Sequence, residues 1–216
     1  MRDETPELTP ELLLHAYASG VFPMAESQDD DEVFWVDPKR RGIFPLDGFH
    51  MSRSLIKRMR RGDRRVTFNA DFVGVVQGCA ARDETWINTT IFELYLALHH
   101  MGFAHSVEVW QDDALIGGTY GVALGGAYFG ESMFSRDTDA SKMALAWLID
   151  KLRSDGFQLF DTQFLTPHLA SLGAIEVSRA DYRSRLASAL LQEARFRTDT
   201  PVASAQGVIQ RNTQTS

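Results

Sequence analysis

The chain has 216 residues, a single cysteine and a formal net charge of −7, with 44% hydrophobic and 24% charged residues. This is the composition of an ordinary globular protein long enough to bury its own core. It excludes an intrachain disulfide, and no stretch reaches the roughly 20 apolar residues of a membrane span. The first twenty residues carry Asp3, Glu4, Glu7 and Glu11 without a long apolar run, so they do not read as a signal peptide, and a reducing, cytoplasmic setting without membrane contact is expected.

Thr9-Pro10-Glu11 opens a helix that Gly20 ends, with threonine as N-cap and proline at the first helical position. Val21 to Met24 reads as an apolar turn, 28–32 as an acidic loop, and Phe34 to Pro38 as extended chain, because the residue before a proline avoids the helical region. Residues 52–61 read as a helix with Leu55, Ile56 and Met59 as its apolar stripe, followed by a strand at 65–69 and a helix at 71–80 that carries Cys79 on a buried face. Asn88 caps a helix through Ile91, Leu94, Tyr95 and Leu98. Strands follow at 105–110, 115–124 and 128–133, turning at Asp112-Asp113 and Gly125-Gly126. Asp139 is placed as the cap of a deeply packed helix, 157–161 as a strand, 167–172 as a short helix, 175–177 as an edge strand and 181–193 as a last helix.

This order predicts an α+β fold: a mixed, mostly antiparallel sheet flanked by helices. It matches the acetyltransferase-like (GNAT-like) architecture, whose splayed sheet opens a cleft between central strands. Residues 1–48 hold too few apolar groups for a core and are expected as a small N-terminal appendage docked on a catalytic domain at 49–195. Beyond 196, polar residues dominate and a flexible tail is expected.

Two segments carry the chemistry. Gly130-Glu131-Ser132-Met133-Phe134-Ser135-Arg136 and Phe160-Asp161-Thr162-Gln163 each end a strand with polar groups on an apolar run. If those strands are neighbours, Glu131, Asp161 and Gln163 converge at one rim of the sheet, an arrangement for handling an amine and a carbonyl without metal or thiol. Asp161 and Gln163, at i and i+2, share a face about 6–7 Å apart. Plainer readings stand beside these: Asp161 as a helix cap, and Glu131 as the partner of Arg136. The six histidines show no ligand spacing, so no metal and no cofactor are expected.

Charge is unevenly distributed. Lys39, Arg40, Arg41, Arg53, Lys57, Arg58, Arg60, Arg61, Arg64 and Arg65 face only Asp47 and Asp63, so residues 39–65 net +8 and the remainder −15. A cationic block on an anionic body suggests a positioned phosphate contact, with a solvated helix face as the alternative.

Tyr17-Ala18-Ser19-Gly20-Val21-Phe22-Pro23-Met24, Thr85-Trp86-Ile87-Asn88, the 104–110 and 117–122 segments, the two segments above and His168-Leu169-Ala170-Ser171-Leu172-Gly173 together resemble the leucyl/phenylalanyl-tRNA–protein transferase family over residues 8–190. The resemblance implies the acetyltransferase-like fold without coenzyme A. It also implies transfer of leucine or phenylalanine from Leu-tRNA or Phe-tRNA to proteins beginning with arginine or lysine, marking them for N-end-rule degradation. It assigns catalysis to Asp161, Gln163 and Glu131, and the donor side-chain pocket to Tyr128, Leu145, Leu152 and Phe160. Trp35 and Trp86 become candidates to stack the terminal adenosine, although Phe34 stands where the family commonly has a second tryptophan. Arg53, Lys57, Arg58, Arg60, Arg61, Arg64 and Arg65 would meet tRNA phosphates.

Two other functions fit parts of the chain. A coenzyme A-dependent N-acyltransferase would share the fold, but it cradles a pyrophosphate on glycine-rich backbone amides, and here the third strand runs into Arg136-Asp137-Thr138-Asp139. A non-catalytic RNA-binding adaptor explains the basic helix and the tryptophans, but not acidic residues beside an apolar slot.

Overall fold

The computed structural model describes residues 8–25, 33–81 and 85–213. The acidic loop expected at 28–32 lies outside these residues. In chain order the elements are α1 (Pro10–Ala18), β1 (Phe22–Met24), β2 (Phe34–Val36), β3 (Arg40–Ile43), α2 (Arg53–Met59), β4 (Arg65–Phe68), α3 (Phe72–Ala80), α4 (Thr89–His100), β5 (Ala104–Gln111), β6 (Ala114–Leu124), β7 (Ala127–Ser135), α5 (Ala140–Ser154), β8 (Leu159–Gln163), α6 (Pro167–Ser171), β9 (Ile175–Ser178), α7 (Arg179–Leu190) and α8 (Ala205–Thr213).

Side-chain caps fix several helix starts. Thr9, Ser52 and Asn88 accept from the backbone N–H groups of Leu12, Leu55 and Ile91, which would otherwise lack a partner. Asp139 differs from its expected role. It sits in the left-handed region at φ 65° and makes no side-chain cap bond. Its carboxylate accepts from Lys142 Nζ instead, at 2.8 Å.

Seven strands form one sheet in the order β4-β5-β6-β7-β8-β3-β9. All neighbours are antiparallel except β7 and β8. That parallel pair is short, ending at Phe129↔Asp161. Beyond it the two strands part, which is the expected splay of an acetyltransferase-like sheet.

One core cluster fills the face toward α2, α5 and α8, through Leu55, Met59, Val107, Val109, Tyr128, Leu148 and Ile209. The other fills the face toward α1, α3, α4 and α7, through Leu13, Tyr17, Val75, Tyr95, Val122, Phe129 and Leu186. Cys79 is fully buried in the second.

Two boundaries differ from the sequence reading. The 1–48 segment is no mere appendage, because its residues 40–43 form β3, which pairs with both β8 and β9 inside the main sheet. Only β1 and β2 form a separate two-stranded ribbon. Over its described residues, 196–213, the expected tail is not free either. Phe196, Val208 and Ile209 are buried in the core, α8 covers α5, and Arg211 grips Asp150 at 2.6 and 2.8 Å. A polar composition concealed three apolar anchors, which suffice when a ready-made groove receives them.

Candidate active site

Where β7 and β8 part, side chains bridge the gap. Gln163 Nε2 donates to Glu131 Oε2 at 3.0 Å. On the far side of Glu131, Tyr17 donates to Oε1 at 2.6 Å and Tyr95 to Oε2 at 2.7 Å. The two tyrosine hydroxyls are themselves 2.7 Å apart. Carboxylate and phenols therefore close a ring of three oxygen–oxygen contacts, for which the two phenols supply only two protons. When Glu131 is protonated, a proton on Oε1 completes the ring and reverses the Tyr17 bond, so that Glu131 donates to Tyr17, Tyr17 to Tyr95, and Tyr95 to Oε2. Burial pushes the Glu131 carboxyl up from 4.5 to about 7, above all by desolvation, against the lowering effect of its hydrogen bonds. The alternative partner, Arg136, is engaged elsewhere: it donates to the Leu115 carbonyl at 3.1 Å and lies over the Phe134 ring.

Asp161 is on the same strand as Gln163 but serves a different network. It is wholly buried and forms a two-pronged pair with Arg41, at 2.9 Å to Oδ1 and 2.6 Å to Oδ2. Tyr182 donates to Oδ2 at 2.7 Å, and the Gln163 backbone N–H donates to Oδ1 at 2.8 Å. The Arg41 guanidinium, 1% exposed, is flanked by the Phe22 and Tyr182 rings at 4.4 and 4.5 Å. Its ion pair with Asp161 raises its already high pKa, against desolvation, the largest effect, which lowers it. Asp161 is thus spent on its neighbours and does not meet Glu131. Its carboxylate is closed off from solvent by these partners.

What it positions is a strained turn. Gln163 has φ 63°, and the Phe164 N–H returns to the Thr162 carbonyl at 2.7 Å. A three-residue turn with positive φ at its centre is rare and costly for a side-chain-bearing residue. The Asp161 hydrogen bond to the Gln163 N–H holds it from one side. From the other, Gly42 of β3 approaches so closely that a Cβ there would lie 2.6 Å from the Phe164 carbonyl carbon. The turn aims the Gln163 amide across the gap at Glu131.

Beside this pair lies a cleft of about 470 Å³, lined by Trp86, Glu131, Ser135, Ser141, Gln163 and His168 among others. A smaller hollow of about 80 Å³ adjoins it, walled by Gly130, Met133, Leu145, Phe160 and Leu169, with Thr162 lining both. Gly130 is bare because the Phe160 ring lies 2.8 Å from where its Cβ would be.

Of the four expected pocket residues, Leu145 and Phe160 line the hollow. Tyr128 and Leu152 do not: both are fully buried core, the tyrosine donating to the His105 carbonyl at 3.2 Å and packing on Phe157, Phe160 and Phe196. Of the tryptophans, Trp86 lines the cleft and meets Tyr95 edge-on, whereas Trp35 stands 41% exposed on β2 and is not in the cleft wall.

The basic residues divide likewise. Arg53, Lys57, Arg60, Arg61 and Arg65 are exposed, and Arg58 is half-buried. Arg64 is committed to structure, paired with Asp137 and donating to the Thr138 carbonyl at 3.0 Å. Arg40 pairs with Glu176, and Arg41 is the buried partner described above. By tying the basic segment to 137–138, Arg64 sets it beside Ser135 and Ser141 of the cleft wall. His105 is a core group, stacked on Phe196, its pKa lowered to about 4, mainly by desolvation.

Sequence reasoning missed Tyr17, Tyr95, Tyr182 and Arg41. For Tyr17 a signal existed, since it opens one of the segments on which the family resemblance rests. Among the described residues no group of three or more His, Cys, Asp and Glu could hold a metal. At the start of α5, Asp137 and Asp139 offer carboxylates where coenzyme A would need donors for its pyrophosphate.

The chain is similar to known proteins along nearly its whole length. The family described as leucyl/phenylalanyl-tRNA protein transferase matches residues 43–187, and its N-terminal domain matches 6–39. The protein named leucyl/phenylalanyl-tRNA–protein transferase in Ruegeria sp. (strain TM1040) is 67% identical, covering 97% of this chain and 99% of its own length. The protein of the same name from Cereibacter sphaeroides (strain ATCC 17025) is 66% identical over 98% of this chain and 99% of its own. Among solved structures, that of FemX superposes with a TM-score of 0.50 at 12% identity, over 78% of this chain and 66% of that one, a likeness of fold.

Proposed function

The chain belongs to the leucyl/phenylalanyl-tRNA–protein transferase family, and from that premise we propose that it moves leucine or phenylalanine from aminoacyl-tRNA to the N-terminal amine of proteins beginning with arginine or lysine. On this reading the product is marked for N-end-rule degradation and the reaction takes place in the cytoplasm. The observation that carries the proposal is the Glu131–Gln163 pair at the junction of the cleft and the apolar hollow.

The donor is an ester, already activated, so the chemistry needs positioning, a proton acceptor and shelter for the tetrahedral oxyanion. The hollow between Leu145 and Phe160 receives the donor side chain, leaving its ester at the mouth. The incoming α-amine enters the cleft along Glu131. A carboxylate tuned to about 7 is a well-matched base for an α-amine, whose reference pKa is about 8. Glu131 takes the amine's proton as the C–N bond forms, and the Tyr17–Tyr95 ring has a place ready for it. Gln163 holds Glu131 in line, and Asp161 with Arg41 holds Gln163. The terminal ribose oxygen is expelled and takes the proton that Glu131 had accepted, which completes the transfer and returns Glu131 to its starting state.

Trp86 suits a stacking role for the terminal adenine, worth about 1–3 kcal/mol. Trp35 would reach the same nucleotide only from outside the cleft wall. Arg53, Lys57, Arg58, Arg60, Arg61 and Arg65 would neutralise acceptor-stem phosphates, contacts that position the tRNA without reading its sequence. A negative group at the cleft wall also suits a cationic acceptor residue.

Incubation with leucyl-tRNA and a peptide with N-terminal arginine tests this directly. The expected product is the leucyl-extended peptide, with none from an N-acetylated or aspartyl control. Transfer from acetyl-coenzyme A, or none from the charged tRNA, would overturn the reading.

A further inference from the structure

The main cleft is a gap between strand edges. Glu131, Ser132, Met133, Phe134 and Ser135 line it in unbroken succession, with Thr162, Gln163 and Phe164 across from them. A sheet face offers only alternate residues of a strand, so a consecutive run marks an edge, backbone included. Hydrogen-bond direction shows which backbone groups lie there. The Arg136 N–H donates to the Ile116 carbonyl of β6 at 2.7 Å, so Arg136, Phe134 and Ser132 turn their backbone groups toward β6. The N–H and C=O groups of Met133 and Ser135 therefore point the other way, to the side that β8 accompanies only as far as Phe129↔Asp161. Among the described residues no other strand pairs with them and no loop backbone hydrogen-bonds to them. The strained turn keeps the place open, because the positive φ of Gln163 turns β8 aside where it would continue beside β7. The sheet thus has a free edge within it, and a free edge pairs with an added strand. At the head of that edge is Glu131, the extra residue of a bulge between Gly130 and Ser132, which oppose Gly121 and Tyr120.

Resting on the function proposed above, we infer that the acceptor polypeptide enters the cleft as an extended strand parallel to β7 and pairs with its free edge at Met133 and Ser135. Its N-terminal amine lies at Glu131, and the chain runs out toward the exposed Ser135. One acceptor residue, level with Phe134, donates its N–H to the Met133 carbonyl and accepts from the Ser135 N–H, as in a parallel ladder. The donor cannot make this pattern, since an aminoacyl ester carries no peptide N–H. Backbone pairing reads conformation rather than side chains. The slot therefore takes many sequences after the first residue and rejects a folded N-terminus.

Exchanging a backbone amide of an N-terminal arginine peptide for an ester removes one N–H without adding bulk. With the wild type and leucyl-tRNA, an ester at one of the peptide's residues 2 and 3 should raise its KM about three- to tenfold, and the other by less, because neighbouring N–H groups face opposite ways. On the enzyme, Ser135→Pro removes an N–H that does not face β6, and Ser135→Ala keeps that N–H while removing the hydroxyl bonded to Ser141 N–H and the Asp137 carbonyl. With the peptide, the proline variant's KM should exceed the alanine variant's about three- to tenfold at unchanged kcat. With arginine amide the two variants should match, because Ser135 stands four residues from Glu131, about 13 Å along the strand and beyond reach of one residue. The inference is overturned by esters at residues 2 and 3 that act alike, by equal peptide KM in the two variants, or by an equal loss on arginine amide. A proline variant that melts below the assay temperature leaves the ester comparison to decide. Absence of transfer by the wild type from leucyl-tRNA to either acceptor would instead fail the underlying function, so the two failures are distinguishable.

Discussion

Replacing Glu131 with glutamine separates the energetic cost of this carboxyl from its use. In the folded protein it keeps its proton to about pH 7, whereas the unfolded chain releases it near 4.5. Between those values the folded state binds more protons than the unfolded one, so stability falls as pH rises, and the loss is complete above about 7. A shift from 4.5 to about 7, at 1.36 kcal/mol per unit, corresponds to about 3 kcal/mol. Glutamine does not titrate, and it reproduces the protonated ring: its NH2 donates to Tyr17, Tyr17 to Tyr95, and its carbonyl accepts from Tyr95 and Gln163. Urea unfolding of both proteins at pH 5, 6, 7 and 8 should show the variant gaining about 2.5 kcal/mol relative to wild type across that range, the remainder having accrued below pH 5, while transfer is lost at every pH. Wild-type kcat should rise with pH through about 7. Stability curves that stay parallel from pH 5 to 8 would refute both the buried titration and the base it supplies.

Asp161→Asn breaks a buried two-pronged ion pair and leaves the buried Arg41 charge uncompensated. A loss of about 3–5 kcal/mol in denaturant titration is expected, together with loss of transfer. Gly42→Ala drives a methyl into the turn at Phe164, which should cost about 1–3 kcal/mol and displace Gln163, so that kcat falls more than KM rises. Neutralising Arg60 and Arg61 should weaken tRNA binding and flatten its salt dependence, each lost phosphate contact lowering the log–log slope by up to about 0.9 in filter binding; an unchanged slope removes them from the interface. Ending the chain at residue 195 strips Phe196, Val208 and Ile209 from α5, and the truncated protein should melt well below the full chain.

Much of this was legible in the sequence because it depends on short-range rules. Capping residues and apolar spacing located α1, α2, α4 and β5 to β7 within a few residues. Alternation along β7 and β8 put Glu131 and Gln163 at one rim. Arg41 was hidden because a charge run looks the same whether its members face water or one of them is buried; only the pairing of β3 between β8 and β9 separates it from Arg40. Four residues beginning Arg-Arg-Gly have little strand preference of their own, so neighbours decide. The positive φ of Gln163 carries no residue-type signal, unlike a glycine. Tyr128 and Leu152 show the converse failure: an apolar residue beside a pocket wall and one inside the core have the same sequence signature, and resemblance placed them in the wall.

The insertion of β3 also bears on the order in which the molecule assembles. Arg41 leaves the ribosome early, yet its partner Asp161 lies 120 positions downstream, and the strand on its other side, β9, comes later still. Residues 40–43 must therefore wait for their strand partners through most of synthesis. Contacts so distant along the chain close slowly and late. Until that strand closes, the carboxylate that holds the glutamine turn lacks its guanidinium, so alignment of the amide depends on two ends of the chain meeting.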